Sequence, residues 1–247
     1  MKTKNFFPFI LMLVKWSGIA ITDGRGKVGG SVLSKSKAGA TVRNKVTPIN
    51  RRTSAQSTIR AIFTSFSQAF RTLTDSQITA WNAAAAAGFT TTNIFGDTIK
   101  KSGSMLYTSL NVNLSIAGGA SISDPPSPSD TPAGLFALDP QSDVSSTNLF
   151  LNADFGAGVD VVPADNSLMV YATPKMSNGV TFVKSQLRVL TVLSASTDTG
   201  SSNLWSDYTA KYGAPAVGDN IVFAVQCINT VSGIGGTPIQ TRATIQA

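Results

Sequence analysis

Asp124-Pro125-Pro126-Ser127-Pro128-Ser129-Asp130-Thr131-Pro132 divides the chain. Four prolines remove four backbone donors and fix φ near −65°, so neither a helix nor a central strand continues through them. A run of this kind is extended and semi-rigid. The apolar pattern changes across it, from a period of three or four residues upstream to a period of two downstream. The expected architecture is α+β and multi-part, with residues 118–134 as a Pro/Ser/Gly linker separating two modules.

Upstream, residues 53–117 read as a helical hairpin or three-helix unit. Thr53-Ser54-Ala55-Gln56 has capping-box spacing, and Ile59, Ile62, Phe63, Phe66 and Phe70 then form one apolar stripe. Thr74-Asp75-Ser76-Gln77 repeats the box, with Ile78, Trp81 and five alanines before a stop at Gly88. A third helix is expected from Ser102 or Ser104, carrying Met105, Leu106, Leu110 and Leu114 and ending at Gly118-Gly119. Phe63, Phe66, Phe70 and Trp81 are read as core and helix–helix packing.

Downstream, residues 135–247 read as all-β. Strands are expected at 149–154, 167–173, 181–193, 220–229 and 239–245, with a short helix over 206–213. Turn signals at Gly156, Pro163, Asn178-Gly179, Gly218-Asp219 and Gly235-Gly236 give the spacing of an immunoglobulin- or fibronectin-III-like β-sandwich. Cys227 lies in an apolar strand and reads as a buried small hydrophobe.

Residues 1–52 have no helical period. Gly18, Gly24, Gly26, Gly29, Gly30 and Gly39 punctuate short β-like runs at 19–22, 31–33 and 41–43. This is the composition of an extended arm that orders on a partner. It is also where the charge sits. Residues 1–60 carry twelve cations and one anion, Asp23, whereas residues 111–247 carry five cations and ten Asp. The candidate partner- or phosphate-contacting residues are Arg25, Lys27, Lys35, Lys37, Arg43, Lys45, Arg51 and Arg52. No aromatic stands between Trp16 and Phe63, which argues against a stacking platform for single strands. Gly24-Arg25-Gly26-Lys27-Val28-Gly29 matches G-x-G-x-x-G, but no helical period follows it, so a Gly-permitted turn is the better reading.

Ahead of this lies Phe6-Phe7-Pro8-Phe9-Ile10-Leu11-Met12-Leu13-Val14. Lys15 ends the run well short of the ~20 apolar residues of a spanning helix. With Lys2 and Lys4 ahead of it, the run imitates a signal peptide's charged start and apolar centre, so a signal or membrane-associated segment is the alternative. The preferred reading is an apolar strand that docks on protein, with a membrane partner not favoured.

The composition excludes several chemistries. There is no His, hence no Ser-His-Asp or Cys-His nucleophile and no His-ligated metal. All 13 acidic residues are Asp, and Cys227 stands alone, so no intrachain disulfide or thiolate cluster can form. No EF-hand loop is present among the Asp residues, which include Asp154, Asp160 and Asp165. No catalytic, cofactor-binding or metal site is expected, and no enzyme.

The order Asp23-Gly24-Arg25-Gly26-Lys27-x-Gly29-Gly30, then Lys45-Val46-Thr47-Pro48-x-Asn50, Thr53-x-x-Gln56-x-x-x-Arg60 and Ser67-x-Ala69-Phe70-Arg71-x-Leu73-Thr74-x-x-Gln77-x-x-x-Trp81-Asn82 resembles a family of bacteriophage and prophage virion structural proteins. Tyr171-Ala172-Thr173-Pro174 and Tyr212-Gly213-x-Pro215-x-Val217-Gly218 fit the same group. Arg51-Arg52 stand where Pro and a variable residue are expected. The resemblance implies a virion component without enzymatic activity: a minor capsid, decoration or head–tail connector protein. Its expected partners are other virion proteins, including copies of itself within a symmetric particle. The alternatives are a packaged nucleic-acid-binding protein that uses the basic arm, or a tail receptor- or glycan-binding module. For the last, Phe155, Tyr171, Phe182, Trp205, Tyr208 and Tyr212 are the candidate stacking residues, most of them also candidates for the core.

Overall fold

The computed structural model describes residues 13–15, 24–36, 39–47, 49–50, 52–92, 96–144, 147–156, 160–177, 179–180 and 182–246. Among them, no helix is long and apolar enough to cross a membrane. The architecture is mixed α+β, with four α-helices and several antiparallel sheets among the described residues.

The first sheet is built from β1 (Leu13–Lys15), β2 (Gly26–Val28), β3 (Ser31–Ser36) and β4 (Gly39–Asn44), in the antiparallel order β1-β4-β3-β2. The β-like runs at 31–33 and 41–43 are therefore strands, but they pair with each other within this chain. The run at 19–22 lies outside the described residues. The glycines of the G-x-G-x-x-G stretch make a hairpin, not a helix N-terminus. Val28 pairs with Ser31 across Gly29-Gly30, and Gly29 sits at φ +56°, where a side chain is disfavoured. The Lys45 N–H donates to the Gly30 carbonyl at 2.8 Å and prolongs the ladder.

The helical unit holds α1 (Ser54–Ala69), which runs on into a tight turn at Phe70–Thr72, α2 (Asp75–Ala87) and α3 (Gly103–Ala117). A small hairpin, β5 (Thr90–Thr92) and β6 (Thr98–Lys100), joins α2 to α3. The caps fall where the hydroxyls predict them. Thr53 accepts from the Gln56 N–H, Thr74 and Gln77 close a full capping box, and Ser102 accepts from the Met105 N–H. Trp81, Ala85, Leu106, Tyr107 and Leu110 form the core, with Phe66, Phe70 and Leu73 against it. Trp81 meets Tyr107 edge-on at 5.2 Å between ring centroids. Phe63 is not part of this core: it is 57% exposed. The apolar stripe is real, but only its C-terminal half is covered by α2 and α3.

The C-terminal region contains a ribbon of β7 (Ala137–Asp143) and β8 (Asn148–Asp154), then β9 (Asn166–Ala172), β10 (Arg188–Leu193), α4 (Trp205–Tyr212), β11 (Asn220–Asn229) and β12 (Ile239–Thr244). The last four strands make one antiparallel sheet, ordered β10-β9-β11-β12. Residues 181–193 yield a strand only from Arg188. Lys184-Ser185-Gln186 turns, and the Gln186 N–H donates to the Val183 carbonyl at 2.8 Å.

Leu168, Val170 and Ala172 of β9 and Ile221, Phe223, Val225 and Cys227 of β11 face Leu149, Leu151 and Ala153 of β8, with Leu204 and Tyr208 at one side. The intervening residues Met169 and Ile228 face the end of α3 at Ala117. Both faces of the central strands are thus covered, and their burial is nearly continuous.

The proline-rich segment is held along its course and bonds to both halves. The Trp81 indole N–H donates to the Ser123 carbonyl at 2.7 Å. The buried Asn111 side chain donates to the Ile122 and Tyr107 carbonyls and accepts from the Ile122 N–H at 2.8 Å. Beyond the prolines, the Ser232 hydroxyl donates to the Asp130 carbonyl, and the Ala133 N–H donates to the Asn166 side chain. A segment without strand partners must find side chains for its polar backbone, and these are supplied from both sides. It is a strap across a junction that α3 already closes by packing on the sheet.

Candidate partner-binding surface

Antiparallel pairing fixes which residues of the first sheet share a face. Lys27 lies opposite Val32, and Val32 opposite Arg43. Two residues along, Ser34 lies opposite Thr41, and their hydroxyls are 2.8 Å apart. Lys45, whose N–H bonds to Gly30, continues the ladder on this side, whereas Arg25 lies beyond Gly26, whose φ of +121° interrupts the alternation. One face therefore gathers Lys27, Arg43 and Lys45 around two hydroxyls, and these three cations and Arg25 are exposed. Neighbouring strands stand about 4.8 Å apart, so Lys27 and Arg43 are about 10 Å apart across the sheet. The other face carries Val28, Leu33, Ala40 and Val42, with Lys35 among them. Val28 is 64% exposed, and among the residues of β2, β3 and β4 whose side chains are described only Thr41 is buried.

Six of the eight candidate cations are described, and the sheet separates them. Lys27, Arg43 and Lys45 share one face, with Arg25 exposed just ahead of β2. Lys35 points to the opposite face. Arg52 lies apart, just ahead of α1 at φ +48°. Lys37 and Arg51 lie outside the described residues.

Sequence reasoning missed a second surface. Phe63 on α1 and Met105 on α3 line the same groove and are about half exposed, as is Ile59 one turn earlier on α1. Phe63, Ser67, Met105, Thr108 and Val112 line an open groove of about 440 Å³. Ahead of α1, the Arg60 guanidinium donates to the Asn50 side-chain oxygen at 3.0 Å, and the Arg52 N–H donates to the same oxygen.

The aromatics weighed for glycan stacking do not share a surface. Tyr208 is buried, and its hydroxyl donates to the Thr173 carbonyl. Phe155, Trp205 and Tyr212 pack against the sheet core, Tyr171 packs beside Met169 toward α3, and Phe182 is exposed. Burial raises the phenols of Tyr107, Tyr171, Tyr208 and Tyr212 above their usual range. The Cys227 thiol is pushed up to about 11 by burial, so it is a poor nucleophile. Asp198 is lowered by donors from Ser201 and Gly200. Among the described residues, no group of three or more Cys or Asp side chains is placed to hold a metal ion. No family model matches the chain, and no curated protein matches it.

Proposed function

We propose that the chain is a structural component of a bacteriophage virion, of the minor capsid, decoration or head–tail connector kind. One observation carries this reading: the N-terminal sheet has two chemically distinct faces, and in β2, β3 and β4 no apolar residue whose side chain is described is buried. Ordering a residue's backbone costs on the order of 1–2 kcal/mol, and this sheet buries little to offset that. A surface of that kind gains most of its stability from what it lies against. Its cationic face suits acidic protein surfaces, and its short edge strands suit backbone pairing with neighbours. The motifs from Asp23 to Asn82 that resemble phage structural proteins supply the virion context. The C-terminal sheet and its facing ribbon, two antiparallel layers about one core, are read as an Ig-like module on the particle surface. Mass spectrometry of purified particles tests the assignment: the chain is expected as a stoichiometric component, and its absence contradicts the proposal.

The shared face of Lys27, Arg43 and Lys45, with exposed Arg25 just ahead of β2, supports a second reading, contact with packaged nucleic acid. Each phosphate neutralised adds about −0.9 to the slope of log affinity against log salt for duplex DNA. Under this reading, replacing the four cations by Gln flattens that slope. A slope that is already flat in the unaltered chain rejects it.

A further inference from the structure

We propose that the cationic face of the first sheet docks on the outward face of the β7–β8 ribbon of a second copy of this chain, head to tail. This inference rests on the reading of the first sheet as an assembly surface, and it names what that surface lies against. Charge complementarity identifies the occupant. Residues 1–60 hold twelve cations and one anion, whereas residues 111–247 hold ten Asp and five cations. The two signs sit on opposite halves of one chain, so two copies attract each other unlike end to unlike end.

Register gives the ribbon an acidic outer face. Leu149, Leu151 and Ala153 of β8 face the core. Asn152 and Asp154 therefore face outward, and so do Asp139, opposite Asn152, and Asp143, opposite Asn148. Asp139 is exposed, and Asp143 and Asp154 are half-buried. Asp198 stands beside them: a Cβ on Gly200 would lie 3.4 Å from both the Asn152 and the Asp198 side-chain oxygens. No cation belongs to either strand. Four of this half's five cations are bound elsewhere. Arg242 shares a shallow cleft with Asp139, but its guanidinium donates to the Val180 carbonyl. Lys175 is 3.9 Å from Asp219, and Arg188 and Lys211 donate to backbone carbonyls of residues 185–189. The spacings of the two faces agree. Arg43 and Lys45 are about 7 Å apart along the chain, and Asp139 and Asp154, diagonal neighbours, about 7–8 Å. Lys27 stands about 10 Å from Arg43, and Asp143 about 14 Å from Asp139, a difference that a flexible lysine stem closes. The sheet face and the ribbon face are different patches, so the contact is heterologous and builds a ring or a filament. Each exposed ion pair is weak and screened by salt, and repetition within a particle strengthens the whole.

The presence of the chain in purified particles is a separate measurement. A chain found there without the contact refutes this inference alone, and a chain that makes the contact but is absent from particles refutes the virion reading alone. The test uses the full chain at low salt, as an equal mixture of isotopically light and heavy protein, with a carbodiimide that joins Lys amines to touching Asp carboxylates. The expected bonds join Lys27 or Lys45 to Asp139, Asp143 or Asp154, with light–heavy pairs as frequent as same-label pairs. Raising the salt to about 0.5 M should lower their yield about tenfold, because exposed charges are then screened. Bonds within same-label pairs only, which would put the sheet on its own ribbon, bonds elsewhere in the chain, or no bonds at all each overturn the proposal. A charge-swap arm keeps the result independent of folding. One variant carries Lys27→Asp, Arg43→Asp and Lys45→Asp, and the other Asp139→Lys and Gln141→Lys. All five positions are exposed, and circular dichroism checks each fold. Each variant alone should lose the bonds between faces about tenfold, since like charges then meet. With the first variant light and the second heavy, bonds should return, joining Lys27 or Lys45 of the heavy chain to Asp139 of the light one. A mixture that stays without them overturns the proposal.

Discussion

The backbone N–H of Gly103 donates to the Asn82 side-chain oxygen at 3.1 Å, and a Cβ on Gly103 would lie 2.6 Å from that oxygen and 2.8 Å from the Asn82 nitrogen. This is where α3 starts against the middle of α2, and only a glycine fits. Gly103→Ala is expected to cost roughly 1–3 kcal/mol, the usual range for overpacking. Urea denaturation measures it, and a change under about 0.5 kcal/mol, typical of an ordinary surface site, contradicts the close approach.

Asn111 is fully buried and makes three hydrogen bonds, two of them to Ile122 in the strap. Asn111→Leu keeps most of the volume and takes the partner from the half-buried Ile122 N–H and C=O, at about 1 kcal/mol for each. The strap should loosen with it, so proteolysis within residues 118–134 should become faster in the variant. If that segment is cut equally fast in the unaltered chain, it is a free linker and not a strap.

The helical unit and the central strands were legible in the sequence because their signals are local. The hydroxyls of Thr53, Thr74 and Ser102 cap helices whatever surrounds them, and 220–229 could hardly be anything but a strand. The failures involve partners distant in sequence. Val183 and Lys184 alternate like a strand, but their segment turns before it can join the sheet. β7 contains Pro140 and two Asp and was not foreseen. It forms because its partner β8 presents Leu149, Leu151 and Ala153 to the core. The prolines of the strap announced an extended course, not the side chains of Trp81 and Asn111 that hold it. The same limit applies to the candidate surface. A basic run was visible, but only register puts Lys27 with Arg43 and sends Lys35 to the other side. An apolar stripe was visible too, and it reads alike whether or not Phe63 is covered.

Cys227 gives a pH-dependent readout. Burial lifts its thiol from 9.0 to about 11, so the folded state keeps its proton longer than the unfolded chain. This contribution is complete below pH 9 and is lost as pH rises toward 11. Tyr208, raised above 10, acts with the same sign at higher pH. Thermal melts should therefore show a midpoint that falls through this window, and the native thiol should resist alkylation below it. A midpoint that rises there, or rapid alkylation of folded protein at neutral pH, contradicts the burial.

The proposed function requires that the thin sheet of β2, β3 and β4 be stabilised chiefly by what it touches in an assembled particle. Amide hydrogen exchange in purified virions, compared with the isolated chain, tests this most directly. The account predicts exchange over residues 24–47 slowed at least tenfold in the particle, with the core amides of β9 and β11 nearly unchanged. Equal protection of residues 24–47 in the two states would contradict it.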